Sequence, residues 1–351
     1  MVESITNGRN EREQDMPAMQ HNLSEGQLAG QRMMIGFTGT EFNDELRYAI
    51  DTLQVGGLIL FSRNIVSLEQ VRRLCAEAQA YAARSGQPPL FIAIDQEGGV
   101  VARLKPPFTQ FPGNPAMTCV EDAINFAQIT ARELNSIGVN MNMAPVLDVA
   151  PESISSVMCK RVFAGDPQKV ALMGVTVIDH LQAHGIIAVG KHFPGIGRTV
   201  LDSHEELPEL DIAPELLADS DLVPFKAAVD AEVGGIMLSH IRYPRLDPAW
   251  PASLSPAIAQ NLLRDQWGFE GLVITDDLDM GAIVKHYDLP AIVRQCLTAA
   301  VDILLICHSS PKIAEAHQTI LEKMDATEIL LKQSHASAAR ILAAKQRFLA
   351  M

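Results

Sequence analysis

The chain has 351 residues, 48% of them hydrophobic and 20% charged, with a formal net charge of -14 and a pI near 5.1. That length and apolar share allow a sizeable buried core, and the acidity disfavours nucleic acid and anionic membrane surfaces, both of which want a basic face. The five cysteines (Cys75, Cys119, Cys159, Cys296 and Cys307) are odd in number and scattered without CxxC spacing, so we expect neither a disulfide framework nor a zinc knuckle, and a reducing compartment fits best.

Residues 1–22 are polar and charged, with no apolar stretch after the first methionine. They read as a flexible tail, and we expect no signal peptide and a cytoplasmic location. Beyond them, short apolar runs rich in β-branched residues predict strands at 32–37, 57–61, 90–94, 139–144, 186–189, 235–239, 271–275 and 302–307, each bounded by Gly, Pro, Asn or Asp. Apolar spacing near 3.6 predicts helices between them, among them 67–85, 120–137, 167–184 and 255–266, and a last amphipathic helix at 329–348. Strands alternating with helices imply a parallel sheet, and eight such units favour a closed (β/α)8 TIM-type barrel over an open sheet. No linker of biased composition and no bilayer-length apolar run interrupts 23–351, which reads as a single domain.

A barrel places its chemistry just after its strands. Asp95-Gln96-Glu97-Gly98-Gly99 follows the third run, Lys191-His192 the fifth, His240 the sixth and Asp276-Asp277 the seventh. The densest stretch is Lys191-His192-Phe193-Pro194-Gly195-Ile196-Gly197, with Asp202-Ser203-His204 soon after. A strand running into a glycine-bearing loop that sets a carboxylate beside an imidazole suits proton transfer, because the carboxylate orients the ring and stabilises its charged form.

These residues resemble the signature of glycoside hydrolase family 3, and more narrowly its bacterial β-N-acetylglucosaminidases of cell-wall recycling. The resemblance extends over roughly residues 27–310: Asp95 to Gly99 with Arg103 is similar to the family's sugar-binding loop, and Asn142 to Asp148 to its strand-four segment. Arg161-Val162-Phe163 is similar to the arginine turn that follows, and Ile274 to Leu278 to the strand that carries the nucleophile. Two positions depart from the pattern. Ile196 stands where relatives usually carry His, and Val100 where many carry Arg.

The resemblance implies a retaining β-N-acetylglucosaminidase that removes terminal non-reducing GlcNAc from GlcNAc-anhydroMurNAc and muropeptides through a covalent glycosyl-enzyme. Asp276 would be the nucleophile and His204 the acid/base, oriented by Asp202. Asp95, Arg103, Arg161, Lys191 and His192 would bind the sugar. No cofactor, metal, nucleic acid or membrane partner is implied, and a monomer or homodimer is expected. On the residues alone, Asp276 or Asp277 can equally cap a helix, His204 can be a solvated loop histidine, and each Arg or Lys a surface charge. Glu97 can pass for a second catalytic carboxylate, but the resemblance assigns its loop to binding or structure. Met237 and His240 can line the pocket or fill the barrel.

Three other functions compete with this one. A β-glucosidase or β-xylosidase of the same fold is disfavoured by the Asp-x-His couple. A metal-dependent barrel hydrolase using His192, Asp202, His204 and His240 lacks a His-x-His on its first strand and an HExxH motif. A catalytically weak muropeptide-binding barrel is suggested by Ile196. Hydrolysis and phosphorolysis both remain open, since an imidazole repels phosphate less than a carboxylate does.

Overall fold

The computed structural model describes residues 23–201, 203 and 206–349; the expected N-terminal tail, Asp202 and His204 lie outside them. Eight parallel strands form one sheet: β1 (Met33–Ile35), β2 (Gly57–Leu60), β3 (Phe91–Ile94), β4 (Met141–Asn142), β5 (Ile187–Phe193), β6 (Gly235–Leu238), β7 (Leu272–Thr275) and β8 (Leu304–Ile306). From β1 to β7 each pairs with the next in sequence order, β8 pairs with β1 through Met33–Leu304 and Ile35–Ile306, and a bridge between Ile274 and Ile303 closes the ring. Helices cover the outer face of the sheet and the strands' own side chains fill its inner face, so almost all strand residues are buried. This explains why the runs are continuously apolar rather than alternating.

The seam between β7 and β8 is stitched partly by side chains. Thr275 N–H donates to the Ile303 carbonyl at 3.0 Å, but Val273 N–H donates to Asp302 Oδ2 at 2.9 Å and Leu305 N–H to Thr275 Oγ1 at 3.0 Å. Asp302 is itself held between Arg264 and Arg340, so its charge is paired where it is buried.

Differences from the predicted elements have local causes. β4 is short because Pro145 has no N–H to donate; pairing with β5 resumes beyond it, where Leu147 N–H meets the Lys191 carbonyl at 2.7 Å. β5 is longer than predicted, and Lys191 and His192 sit on it rather than in the loop after it. The predicted helix at 255–266 is a wide-turn π segment, Ala257–Gln266, after a single 3-10 turn at Ala252–Leu254. The helices Leu68–Arg84, Val120–Ser136 and Pro167–Gln182 lie where apolar spacing puts them. Two are capped as such sequences require. Ser67 accepts from Gln70 N–H at 3.2 Å, and Asp166 from Lys169 N–H at 2.8 Å with Pro167 in the first turn.

Met34, Ile59, Phe91, Met141, Ile187, Val189, Met237, Leu272, Ile274 and Leu305 fill the barrel. Its floor is closed by the last helix, Glu328–Phe348, through Ile341, Ala344 and Phe348. Among these apolar groups lies Lys345, fully buried, its ammonium 2.6 Å from Gln31 Oε1, 3.0 Å from the Gly56 carbonyl and 4.9 Å from the centre of the Phe91 ring. Burial brings its pKa down to about 7.

The unfolded chain keeps an ordinary lysine near pKa ~10.4, so between these values it holds a proton that the folded state has shed. Stability from this group is therefore lowest below pH 7 and rises as pH climbs towards ~10. Lys345→Met removes the titration. The variant's stability relative to wild type should improve by on the order of a few kcal/mol between pH 10 and pH 6 in paired denaturant melts. A pH-independent difference would show that Lys345 stays charged in the fold.

Candidate active site

One cavity of about 460 Å³ opens at the C-terminal ends of the strands. Asp95, Arg103, Arg161, Lys191, His192, Met237, Asp276 and Asp277 all border it. Six of the eight residues proposed from sequence for binding or catalysis, the proposed nucleophile among them, border this cavity.

The loop after β3 is a tight hairpin, Gln96–Gly98 against Val101–Ala102. Gly98 and Gly99 turn it at φ +84° and +61°, and a Cβ on Gly99 would come within 2.8 Å of the Pro112 carbonyl. Asn142 grips the Gln96 backbone at 3.0 and 3.1 Å, and Gln96 Oε1 accepts from Arg103 and Leu104 N–H at 2.9 and 3.1 Å. The hairpin thereby carries Arg103 back to Asp95, where Nη2 donates to Oδ2 at 3.0 Å.

On β5 the ladder to β6 pairs Lys191 with Met237 but Phe193 with Leu238, so one residue is extra. Alternation would send consecutive side chains to opposite faces; the bulge lets both Lys191 and His192 line the cavity. Lys191 Nζ lies 2.8 Å from Asp95 Oδ1 and 2.7 Å from Glu97 Oε1. Arg161 straddles Glu97, with Nη2 2.7 Å from Oε1 and Nε 3.0 Å from Oε2. Burial alone would push the Asp95 and Glu97 pKa values up, but Lys191 with Arg103, and Lys191 with Arg161, outweigh it and hold both carboxylates below the ordinary range. Burial likewise opposes the charge on Lys191, and the same two carboxylates keep it cationic. Glu97 has both oxygens committed and only 2% of its side chain exposed, so it positions Lys191 and Arg161.

Asp148 is fully buried and was not singled out from sequence. Its Oδ2 takes His192 Nδ1–H at 2.8 Å, which fixes the ring, while Nε2 faces Arg161 Nη2 at 3.5 Å. Its Oδ1 accepts from Ile196 N–H at 2.8 Å and His192 N–H at 3.3 Å. The one signal that could have marked it is a charged residue inside an otherwise apolar segment, Met143 to Val149.

Asp276 leaves the end of β7, with its N–H on the Leu238 carbonyl at 3.0 Å and its Oδ1 accepting from Asp277 N–H at 2.8 Å. Burial would raise its pKa; the charges of His192, His240 and Lys191 and the Asp277 N–H together hold it below the ordinary carboxylate range. It does not cap a helix: the next one, Gly281–Val284, starts from Met280. Asp277 differs. Its Oδ1 takes the Asp279 and Cys307 N–H groups, each at 3.0 Å, and burial pushes its pKa up. His240 is buried, 2.7 Å from Ser253 Oγ and 2.8 Å from the Asp277 carbonyl, and of the two strand-six candidates only Met237 borders the cavity. Asp202 and His204 lie outside the described residues, but Ser203 between them borders the cavity.

Eight parallel strands closed into a ring, with paired acidic and basic groups at their C-terminal ends, define a (β/α)8-barrel enzyme. The glycosyl hydrolase family 3 N-terminal domain matches residues 23–344, and the chain belongs to that family. It is 36% identical over 299 residues to a β-hexosaminidase of Pseudomonas aeruginosa (strain LESB58), covering 84% of this chain and 87% of that one. A family 3 β-N-acetylglucosaminidase from Paenibacillus sp. FPU-7 superposes with a TM-score of 0.88 at 37% identity, over 93% of this chain. The match spans 63% of that longer protein. A β-N-acetylhexosaminidase from Beutenbergia cavernae superposes at 0.86 with 29% identity, over 93% of this chain and 99% of that one.

Because Asp148 sets both the His192 ring and the start of the following loop, Asp148→Ala should lower kcat/KM on the order of 10²-fold while leaving a cooperative melt. Parallel kinetics and circular dichroism check this; full activity in a folded variant would exclude a positioning role for Asp148.

Proposed function

We propose that the protein is a retaining β-N-acetylglucosaminidase acting on terminal non-reducing GlcNAc of peptidoglycan fragments. The observation that carries the reading is Asp276: a carboxylate kept ionised at a barrel strand end, facing a wall of sugar-binding charges across one cavity. Asp95 offers acceptor lone pairs and Lys191, Arg103 and Arg161 offer donors, the combination that vicinal hydroxyls require. A cavity of about 460 Å³ suits one sugar ring, and hence removal of an end unit. The names of two relatives, a β-hexosaminidase and a β-N-acetylglucosaminidase, support the sugar specificity of this reading.

In the first step, an Asp276 oxygen forms a bond to the anomeric carbon as the glycosidic C–O bond breaks, and His204 passes its proton to the departing oxygen. In the second, water attacks the same carbon and gives its proton to His204, and the Asp276 ester bond breaks. Retaining enzymes ordinarily use a second carboxylate for the proton. Among the described residues lining the cavity, the other carboxylates are committed: Asp95 to Lys191 and Arg103, and Asp277 to two backbone N–H groups. That supports an imidazole from the loop around Ser203 in this part, with Asp202 as its orienting partner.

Release of p-nitrophenol from the β-GlcNAc and β-glucoside substrates tests the reading. Turnover of the GlcNAc substrate should fall by ~10³-fold or more in Asp276→Asn. Since the Asp276 carboxylate must be ionised, its depressed pKa puts the acid limb of kcat/KM below the ordinary carboxylate range, and an imidazole acid gives an alkaline limb in place of the one a carboxyl acid would give at lower pH. Preference for the glucoside, or an Asp276→Asn variant with wild-type turnover, would overturn it.

A further inference from the structure

Large apolar side chains left in water collect at one end of the active-site cavity. Val100 is 64% exposed, Val157 43%, Val200 60% and Leu201 53%. They come from the loops after β3, β4 and β5, and none belongs to the buried core or to the half-buried groups packed on it. Only ten large apolar side chains are exposed among the described residues, so four on three neighbouring loops are not the scattered single exposures that any surface carries. The backbone ties two of these loops together, because Val157 N–H donates to the Thr199 carbonyl at 3.2 Å. Val157 and Leu201 line the cavity itself, as does Val101 beside Val100.

The direction of the reaction says what these groups meet. Asp276 attacks from the end of β7, so the bond to the leaving group points away from the strand ends. Among the described residues that line the cavity, the exposed ones are Val157, Leu201 and His308, and they mark the way out. His308 is turned towards acid, with its Nδ1 3.7 Å from both Asp277 Oδ2 and Asp279 Oδ2. The other charged groups gather at the sugar end, where Arg103 and Lys191 meet at Asp95 and Arg161 meets Glu97. The surface offered to a leaving group at Val157 and Leu201 is therefore aliphatic.

We propose that Val157 and Leu201 form the leaving-group subsite and select aglycones that present methyl, methylene or ring C–H surface next to the scissile bond. The inference rests on the β-N-acetylglucosaminidase reading and narrows it to one chemistry of leaving group. A methylene moved fully from water into apolar contact is worth about fourfold in affinity, and one half-covered at an open mouth about twofold. A leaving sugar can meet such a surface with the C–H face of its ring, whereas a group that turns charge or hydroxyls to it loses their water without replacing it.

Alkyl 1-thio-β-GlcNAc glycosides, from methyl to hexyl, test the subsite without cleavage, because their C–S bond resists the enzyme. Each is run as a competitive inhibitor of p-nitrophenyl β-GlcNAc turnover in wild type, Val157→Ser, Leu201→Ser and the double variant, with thermal melts alongside. Leu172→Ser serves as a control, since Leu172 is as exposed, at 55%, but lies on the helix Pro167–Gln182 and does not line the cavity. In wild type and the control, Ki should fall about twofold per added methylene, on the order of 30-fold from methyl to hexyl. In the double variant the whole series should span under about fivefold, with each single variant in between. If the double variant does not fold, the single variants carry the same comparison. A Ki indifferent to chain length in wild type, or a full dependence kept in the variants, overturns the inference while p-nitrophenyl turnover leaves the activity reading standing. No turnover of p-nitrophenyl β-GlcNAc sinks that reading and takes the inference with it.

Discussion

Lys191 sits almost entirely out of water between two carboxylates, with Asp95 at 2.8 Å and Glu97 at 2.7 Å. Placing ions there is costly, and the cost is offset only if every charge has a partner at hydrogen-bond distance. The condition spreads outward. Glu97 needs Arg161, Asp95 needs Arg103, and Arg103 reaches Asp95 only because the Gln96–Ala102 hairpin folds back under Asn142. The loops after β3 and β4 are thereby fixed to β5 by one lattice of opposite charges. Its members are held at fixed positions away from bulk water, so their charges act through a low-dielectric surround.

The same neighbourhood separates two adjacent carboxylates. Asp276 and Asp277 are indistinguishable by composition, and both are largely removed from solvent. Asp276 feels Lys191, His192 and His240, which hold it ionised, while burial dominates at Asp277, whose oxygen is spent on the turn to Asp279 and on Cys307. Paired acids pushed apart by their surroundings are how barrels of this kind assign different work to similar residues. Here one is left to face the cavity and the other fastens the β7 loop to β8.

Much of the fold was legible because fully buried strands leave a simple trace: eight apolar runs, each punctuated by turn formers. Clustering of Asp95, Lys191, His192 and Asp276 followed from their places after those runs. What stayed hidden depends on register and three-dimensional pairing. The bulge that turns Lys191 and His192 to one side leaves no mark in an apolar count, and neither does the interruption of β4 by Pro145 before pairing resumes. Asp148 was hidden by its setting, since its partners lie in the β5 segment more than 40 positions away.

Ile196 shows how a departure from a family pattern can leave the frame intact. The bond that matters for the loop at this position is made by the backbone: Ile196 N–H on Asp148 at 2.8 Å, a contact any residue but proline can make. The side chain is nearly buried at 6% exposure and borders the cavity beside Met158, Met237 and Met280. Replacing an imidazole there removes a donor and acceptor but adds to an apolar wall facing the charged one formed by Asp95, Lys191 and Arg103. A sugar has that same division, with hydroxyls around its edge and C–H groups on its faces. An apolar residue at 196 therefore fits the cavity's chemistry and leaves the backbone bond to Asp148 in place.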